Sequence, residues 1–318
     1  MSSQSRPRPR YAYLGPTGTF TEAALRQVVS PEEAQYLPQV DVVSAIEAVR
    51  TGAADRAVVA IESSVEGGVT AVLDTLASGS ALTIQREVLV PVSFTLVARA
   101  GTDLGAVGRI SAHPHAWAQC RRWLAANLPG VVHVPATSNT APAALLAGPD
   151  EGLPFDAALV PPPAVDHYGL HVLAGHVADN ERAVTRFVVV GPPGDQPART
   201  GADKTTLMVH LPSNQAGALL EMLEQFATRG VNLSRIESRP IGDALGRYSF
   251  SIDAEGHLED ERVAEALMGL HRVCPHVRFM GSYPRVDAPA GQVRPGTHDA
   301  DFLAARRWVQ DLRTGAAH

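Results

Sequence analysis

The 318-residue chain is poor in cysteine: Cys120 and Cys274 stand alone and form no metal-type pair. That suits a reducing compartment, in which each serves as a small buried hydrophobe. No apolar run reaches membrane-spanning length, and no apolar signal core follows the polar, Pro-rich residues 2–10. Nor is there a basic stripe: the formal net charge is −6, with both signs spread along the sequence. Neither nucleic acid nor membrane is therefore an expected partner, the location is expected to be cytoplasmic, and an anionic ligand would need a local cationic site. What remains is ordinary globular composition, 45% hydrophobic and 19% charged with 27 Gly and 24 Pro, enough for about two or three compact units.

Nucleotide and metal motifs are missing too. Tyr11–Leu14 reads as a strand and Gly15-Pro16-Thr17-Gly18 as the turn after it; Thr19 and Glu22 then form a capping box for a helix. The pattern is a potential anion site, but it is not GxGxxG and lacks the Lys of a P-loop. His113 and His115 are two residues apart with no third ligand nearby, so no metal and no cofactor are expected.

Residues 57–61 read as a buried strand ending in the polar loop Glu62-Ser63-Ser64-Val65-Glu66-Gly67-Gly68 before a helix, the place where open α/β sheets bind ligands. Ser63, Ser64 and Glu66 could equally cap that helix. Further strands are expected at 82–98, 109–112, 131–135, 156–160 and 171–174. Between them, helices are expected from about 116 to 126 and up to Leu146, with Thr137, Ser138, Asn139 and Thr140 as cap candidates. Alternating strands and helices predict an α/β unit with a mostly parallel core and two lobes around a cleft.

The most informative strand is Val184–Val190, β-branched and apolar yet carrying Thr185 and Arg186 side by side. Alternation sends Thr185 and Phe187 to one face and Arg186 to the other. A buried guanidinium needs an acidic partner. Arg186 can snorkel to water, pair with Asp179, or serve a ligand.

Residues 191–203 read as a Pro/Gly linker, and 204–285 follow as strand–helix–strand–strand–helix–strand, the ferredoxin-like βαββαβ order. Such a small sheet often completes its burial with a second copy. Residues 1–10 read as a flexible N-terminus, and 286–318 as a tail with a possible short helix from Ala300 to Leu312.

Taken in order, several of these stretches resemble the prephenate dehydratase family with an ACT regulatory domain. They are Leu14-Gly15-Pro16-Thr17-Gly18-Thr19-Phe20-Thr21, Ile61-Glu62-Ser63-Ser64-Val65-Glu66-Gly67, His113-Pro114 with Gln119-Cys120, Tyr168-Gly169-Leu170, and Asp179-Asn180 leading to Thr185-Arg186-Phe187. Gly217-Ala218-Leu219 and Glu237-Ser238-Arg239-Pro240 are similar to that family's two phenylalanine signatures. Ser63 departs from the family's Asn, and a hydroxyl lacks the amide's paired donor and acceptor.

The resemblance implies a two-lobed catalytic domain at 11–190, similar to type II periplasmic binding proteins, and an ACT domain at 204–285. It implies a decarboxylating hydro-lyase acting on prephenate in L-phenylalanine biosynthesis, without metal or cofactor, as a homodimer or homotetramer inhibited by phenylalanine. It points to Thr185 as donor to the leaving hydroxyl, with Arg186 and Glu62 as catalytic partners. Thr17, Ser63, Asn139, Thr140 and Phe187 are then substrate-site candidates, with Ser111 and Gln119 as weaker ones. Asn214, Gly217, Ala218, Leu219, Glu237, Ser238, Arg239 and Pro240 are candidates for phenylalanine. Arogenate dehydration, or amino-acid sensing without catalysis, are the alternative readings.

Overall fold

The computed structural model describes residues 7–149, 152–194, 196–211, 215–240, 248–286 and 293–315. The chain divides into two compact units, Met1–Thr75 with Val88–Val189, and Leu76–Glu87 with Val190–His318.

The first unit has two lobes. In one sheet, Gln35–Gln39, Arg10–Leu14, Arg56–Ser63, Val184–Gly191 and Thr83–Pro91 lie in that order. Arg10–Leu14 runs parallel to both of its neighbours. The edge strand Gln35–Gln39 was not legible in sequence: it contains Pro38, tolerated at an edge, and has no buried face to impose alternation. The other sheet orders His171–Ala174, Thr95–Ala98, Ala157–Val160, Arg109–Ala112 and Val132–Pro135. It is mixed rather than mostly parallel, since Thr95–Ala98 pairs antiparallel with both neighbours. The chain crosses between lobes on either side of two touching points, where the Val92 N–H donates to the Ala183 carbonyl (2.8 Å) and the Val177 N–H to that of Phe94 (3.0 Å). Phe20 packs against the cores of both lobes and meets Phe94 edge-on, with centroids 5.6 Å apart.

The helix Phe20–Val28 begins close to its expected place. Thr19 Oγ1 accepts from the Glu22 N–H at 3.2 Å, but the Glu22 carboxylate reaches back to the Gly18 N–H at 2.6 Å rather than to Thr19. The single helix expected over 116–126 is two, Pro114–Gln119 and Arg121–Asn127, broken at Cys120. Asp179 causes the restart by accepting from the Arg122 and Trp123 N–H groups, 2.9 Å each. Asp179 therefore caps a helix and is not the partner of Arg186.

In the second unit, Leu233–Pro240, Tyr248–Glu255, Asp203–His210 and His276–Pro284 form a four-stranded antiparallel sheet in that order. Helices Ala218–Ala227 and Glu261–Val273 cover one face through Met222, Phe226, Val263 and Leu270 against Leu207, Val209 and Ile252. This is the expected βαββαβ order. The opposite face carries a buried polar set, including Lys204 paired with Glu87 at 3.0 Å and Thr206 bonded to Asp253 at 2.7 Å. It is covered in part by residues 76–87 of the same chain: Arg278 donates to the Ala77 and Gly79 carbonyls, and a side chain at Gly281 (φ +127) would collide with the Ile84 carbonyl.

Two boundaries differ from the sequence reading. Residues 191–203 are no free linker. The Pro197 carbonyl accepts from His257 Nε2 at 2.9 Å, and Arg199 pairs with Asp260 at 2.5 Å and with Asp299 at 2.8 Å. The last helix is longer than expected, Asp299–Thr314, and has no buried residue; Arg306 ties it to Glu261 (2.6 Å) and Glu265 (2.9 Å).

Candidate functional site

A cleft of about 720 Å³ opens in the first unit. Gly15, Pro16, Thr19 and Phe20 line it from one lobe, and His113, Thr137, Ser138 and Asn139 from the other. The volume lies within the usual range for small-molecule sites, about 300–1,000 Å³.

Asn139 and Thr140 lie in the turn before the helix Ala141–Ala147. The cap is neither of them, because Ser138 Oγ accepts from the Ala141 N–H at 3.0 Å. Asn139 Oδ1 and Thr140 Oγ1 are instead buried with no hydrogen-bond partner. A buried unsatisfied polar atom costs about 1–3 kcal/mol; of the two, Asn139 lines the cleft, and Thr140 lies behind it, fully buried.

His113 lines the same wall, and its Nδ1 accepts from the His115 N–H at 3.3 Å. Burial first, and the neighbouring His115 second, hold its imidazole below the usual histidine range. A neutral ring in the cleft is the consequence.

In the first lobe, Arg56–Ser63 ends in a hairpin in which Glu62 pairs with Gly68 and Ser63 with Gly67. Gly67, at φ +80, supplies the left-handed residue that closes it. Ser63 Oγ accepts from the Val65 N–H at 3.3 Å, so its hydroxyl serves the turn. Ser64 holds the start of the next strand twice: its N–H donates to the Val184 carbonyl and its Oγ accepts from the Val184 N–H, 2.9 Å each. That fixes Thr185 and Arg186 at the end of the sheet where Leu14-Gly15-Pro16 also leaves.

Arg186 is buried and its Nη1 donates to Glu62 Oε2 at 3.2 Å. Thr185 is half-buried on the opposite face of the strand, shared with Phe187 and Val189. That face packs against Leu25 and Phe20 of the first helix, and Phe20 lines the cleft. Thr185 is thus the hydroxyl one step beyond the packed core.

Two expected ligands sit elsewhere. Phe187 is only 2% exposed, within a core of Tyr11, Tyr13, Leu25 and Val58, because the alternation that brings Thr185 to the sheet's end drives Phe187 into the layer beneath. Thr17 is not among the residues that line the cleft; the nearby Tyr13 phenol is pushed up by burial. Thr17 lines a separate 380 Å³ hollow with Gly18, Glu22, Arg26, Asp166 and His167. Ser111 is buried, and Gln119 Nε2 donates to Glu66 Oε1 at 3.4 Å.

Cys120 is buried and its thiol is pushed up to about 12 by that burial, so it is no nucleophile. Among the described residues no group of three or more His, Cys, Asp or Glu could hold a metal ion, and no helix is long and apolar enough to cross a membrane.

In the second unit, Gly217 (φ +90) opens the helix Ala218–Ala227, where Ala218 is buried and Leu219 exposed. Register places His210 opposite Ser249, and Ser249 opposite Arg239. The turn that leads to Gly217 therefore leaves the sheet at the end where Arg239 and Pro240 lie. Glu237 Oε2 accepts from Arg235 at 3.4 Å, while Ser238 is exposed on the edge strand. Asn214 lies outside the described residues.

Sequence reasoning missed the two contacts that organise the hairpin, Ser64 with Val184 and Glu66 with His115, the latter at 2.6 Å. In sequence Ser64 reads as part of a ligand loop or as a cap, and His115 as half of a metal pair without a third ligand. Both partners lie far away in the chain.

Fold and site together define a two-lobed α/β domain with a ligand cleft, followed by a ferredoxin-like domain of regulatory type. The prephenate dehydratase family model matches residues 11–194, and the ACT domain model matches residues 205–272. A prephenate dehydratase of Mycobacterium sp. strain KMS is 46% identical over 317 residues, covering 96% of this chain and 97% of that one. One from Amycolatopsis methanolica is 44% identical over 307 residues, covering 96% and 98%. The crystal structure of prephenate dehydratase from Arthrobacter aurescens in complex with L-Phe superposes with a TM-score of 0.91 at 53% identity, covering 96% of this chain and 99% of that one. The chain belongs to the prephenate dehydratase family.

Proposed function

We propose that this chain converts prephenate to phenylpyruvate, with loss of water and carbon dioxide, in L-phenylalanine biosynthesis, and that phenylalanine inhibits it through the ACT unit. The observation that carries the reading is near-full-length similarity to named prephenate dehydratases, 46% identity over 96% of the chain, in a molecule with an open two-lobed cleft.

In the reaction, the bond between the ring and its carboxylate breaks and its electron pair moves into the ring. The ring hydroxyl leaves as hydroxide and takes up one proton to become water. Aromatisation supplies the driving force, so the protein has to position, to donate and to exclude water. Thr185 is the assigned donor. An alcohol is a weak acid, so its part is a hydrogen bond to the departing oxygen more than a completed transfer. Arg186 faces away and acts through Glu62, fixing the hairpin beside Thr185 as a positioning residue. Glu62 is an acceptor in that pair, which leaves the donor's part to Thr185. The unpartnered Asn139 Oδ1, in a residue that lines the cleft, supports substrate contact there. Asn139 Nδ2 can donate to a carboxylate and Oδ1 can accept from a hydroxyl, while Thr140, fully buried, serves the packing behind it.

Regulation follows from the second unit. The register that sets His210 and Arg239 at the same end of the sheet supports bringing Gly217-Ala218-Leu219 near Glu237–Pro240, and the edge strand Leu233–Pro240 alternates half-buried with exposed residues. Exposed Leu219, Leu220 and Ile236 support pairing with a second copy there, as a homodimer or homotetramer with phenylalanine between ACT units. Phenylalanine then has to prefer one arrangement of the oligomer, and that arrangement has to disfavour the substrate-competent cleft. The test is phenylpyruvate formation from prephenate, with and without phenylalanine. Turnover that phenylalanine suppresses is expected, and no turnover would overturn the proposal.

A further inference from the structure

We propose that Glu66 and His115 form a clasp between the two lobes and are positioning residues for turnover, a role that rests on the cleft being the prephenate site. His115 Nδ1 lies 2.6 Å from Glu66 Oε2, and Gln119 Nε2 reaches Glu66 Oε1 at 3.4 Å. The two sides belong to different lobes. Glu66 sits in the hairpin turn that Ser64 anchors to Val184, next to Thr185. His115 sits in the first turn of Pro114–Gln119, which packs into the second lobe through Ala116 and meets Cys120 at its end. The clasp therefore joins the hairpin bonded to the start of the Thr185 strand to the segment of the other lobe that carries the cleft residue His113, whose ring lies 4.9 Å from that of His115. The charged groups around it are Arg122 and Asp179, which line the same 740 Å³ hollow, and Asp179 is engaged as a helix cap.

Exposure sets the size of the effect. The His115 and Glu66 side chains are 61% and 39% exposed, so the pair is a surface contact and shifts an equilibrium only about two- to fivefold. That is too little to hold the fold and enough to bias lobe closure. When only the closed form binds productively, apparent affinity falls in proportion to the closed fraction. Loss of the clasp thus raises KM and spares kcat, whereas loss of a group acting only in the transition state lowers kcat.

A charge swap tests this. Glu66→Lys and His115→Asp each break the pair, and the double variant restores it with reversed polarity. With prephenate as substrate, each single variant should raise KM about two- to fivefold with kcat within about twofold, and the double variant should return KM to near the starting value. Unchanged KM in both singles, or a double variant whose losses multiply, would overturn the clasp. Hydrogen exchange of residues 62–68 reads the same contact without substrate. Exchange should be faster in each single variant and slowed again in the double, and equal rates in all four proteins would overturn the clasp. Absence of prephenate turnover in the unmodified protein would instead remove the catalytic reading, leaving the clasp to be judged by exchange alone.

Discussion

Phe187 offers a way to separate packing from catalysis two residues away from the assigned donor. It is 2% exposed and surrounded by Tyr11, Tyr13, Leu25, Val58, Val88 and Val90. Truncation to alanine removes a ring from a close-packed layer and costs about 3–5 kcal/mol. At about 2–4 °C per kcal/mol for a unit of this size, the thermal midpoint should fall by about 6–20 °C. Phe187→Leu keeps most of the apolar volume and should cost only about 1–2 kcal/mol. The assay is urea unfolding of both variants, together with prephenate kinetics well below their midpoints. Phe187→Leu should stay within about twofold of the unmodified protein in kcat and KM. A leucine variant of near-normal stability whose KM rises tenfold or more would refute the packing assignment and return Phe187 to the substrate site.

Gly18→Ala should destabilise by about 1–3 kcal/mol, because φ is +86 and a Cβ would lie 3.0 Å from the Ala164 backbone; an unchanged urea midpoint would contradict this. His113 should give stability a pH dependence. Its folded-state value is held below the ordinary 6.5 by burial, so the unfolded chain takes up the proton first as pH falls. Stability is full above about 6.5 and declines as pH drops toward the lower folded value. His113→Asn should flatten that slope in urea unfolding between about pH 5 and 8, and an identical slope in both proteins would contradict it. Arg239→Ala should raise the phenylalanine concentration for half-inhibition about tenfold with basal turnover within about twofold, and unchanged inhibition would remove Arg239 from the effector site. Gly217→Val tests the same site but adds backbone strain, since Gly217 sits at φ +90.

What was legible in the sequence followed from local rules. The capping residues Thr19 and Glu22, the βαββαβ order and the buried Val184–Val190 strand all announce themselves through spacing and periodicity. What was not legible depended on contacts between distant segments. The partner of Arg186 is Glu62, 124 positions away, not the nearby Asp179. Asp179 is taken by the backbone of Arg122 and Trp123, which also explains why one expected helix is two. Thr17 reads as a helix-start ligand, yet it lines a separate hollow with Gly18, Glu22 and Arg26 rather than the cleft. Pro and Gly made residues 191–203 read as a linker, although Arg199 pins them to Asp260 and Asp299. In each case the local signal was sound and the tertiary structure redirected it.

The donor role proposed for Thr185 depends on a strand end held by Ser64 at Val184 and by the Arg186–Glu62 pair. The direct measurement is phenylpyruvate formation from prephenate by the unmodified protein, Thr185→Ala and Thr185→Ser, at equal folded concentration. The account predicts turnover in the unmodified protein, a fall in kcat of about a hundredfold or more in the alanine variant, and substantial recovery with serine, which keeps the hydroxyl. An alanine variant with unaltered kcat would contradict it.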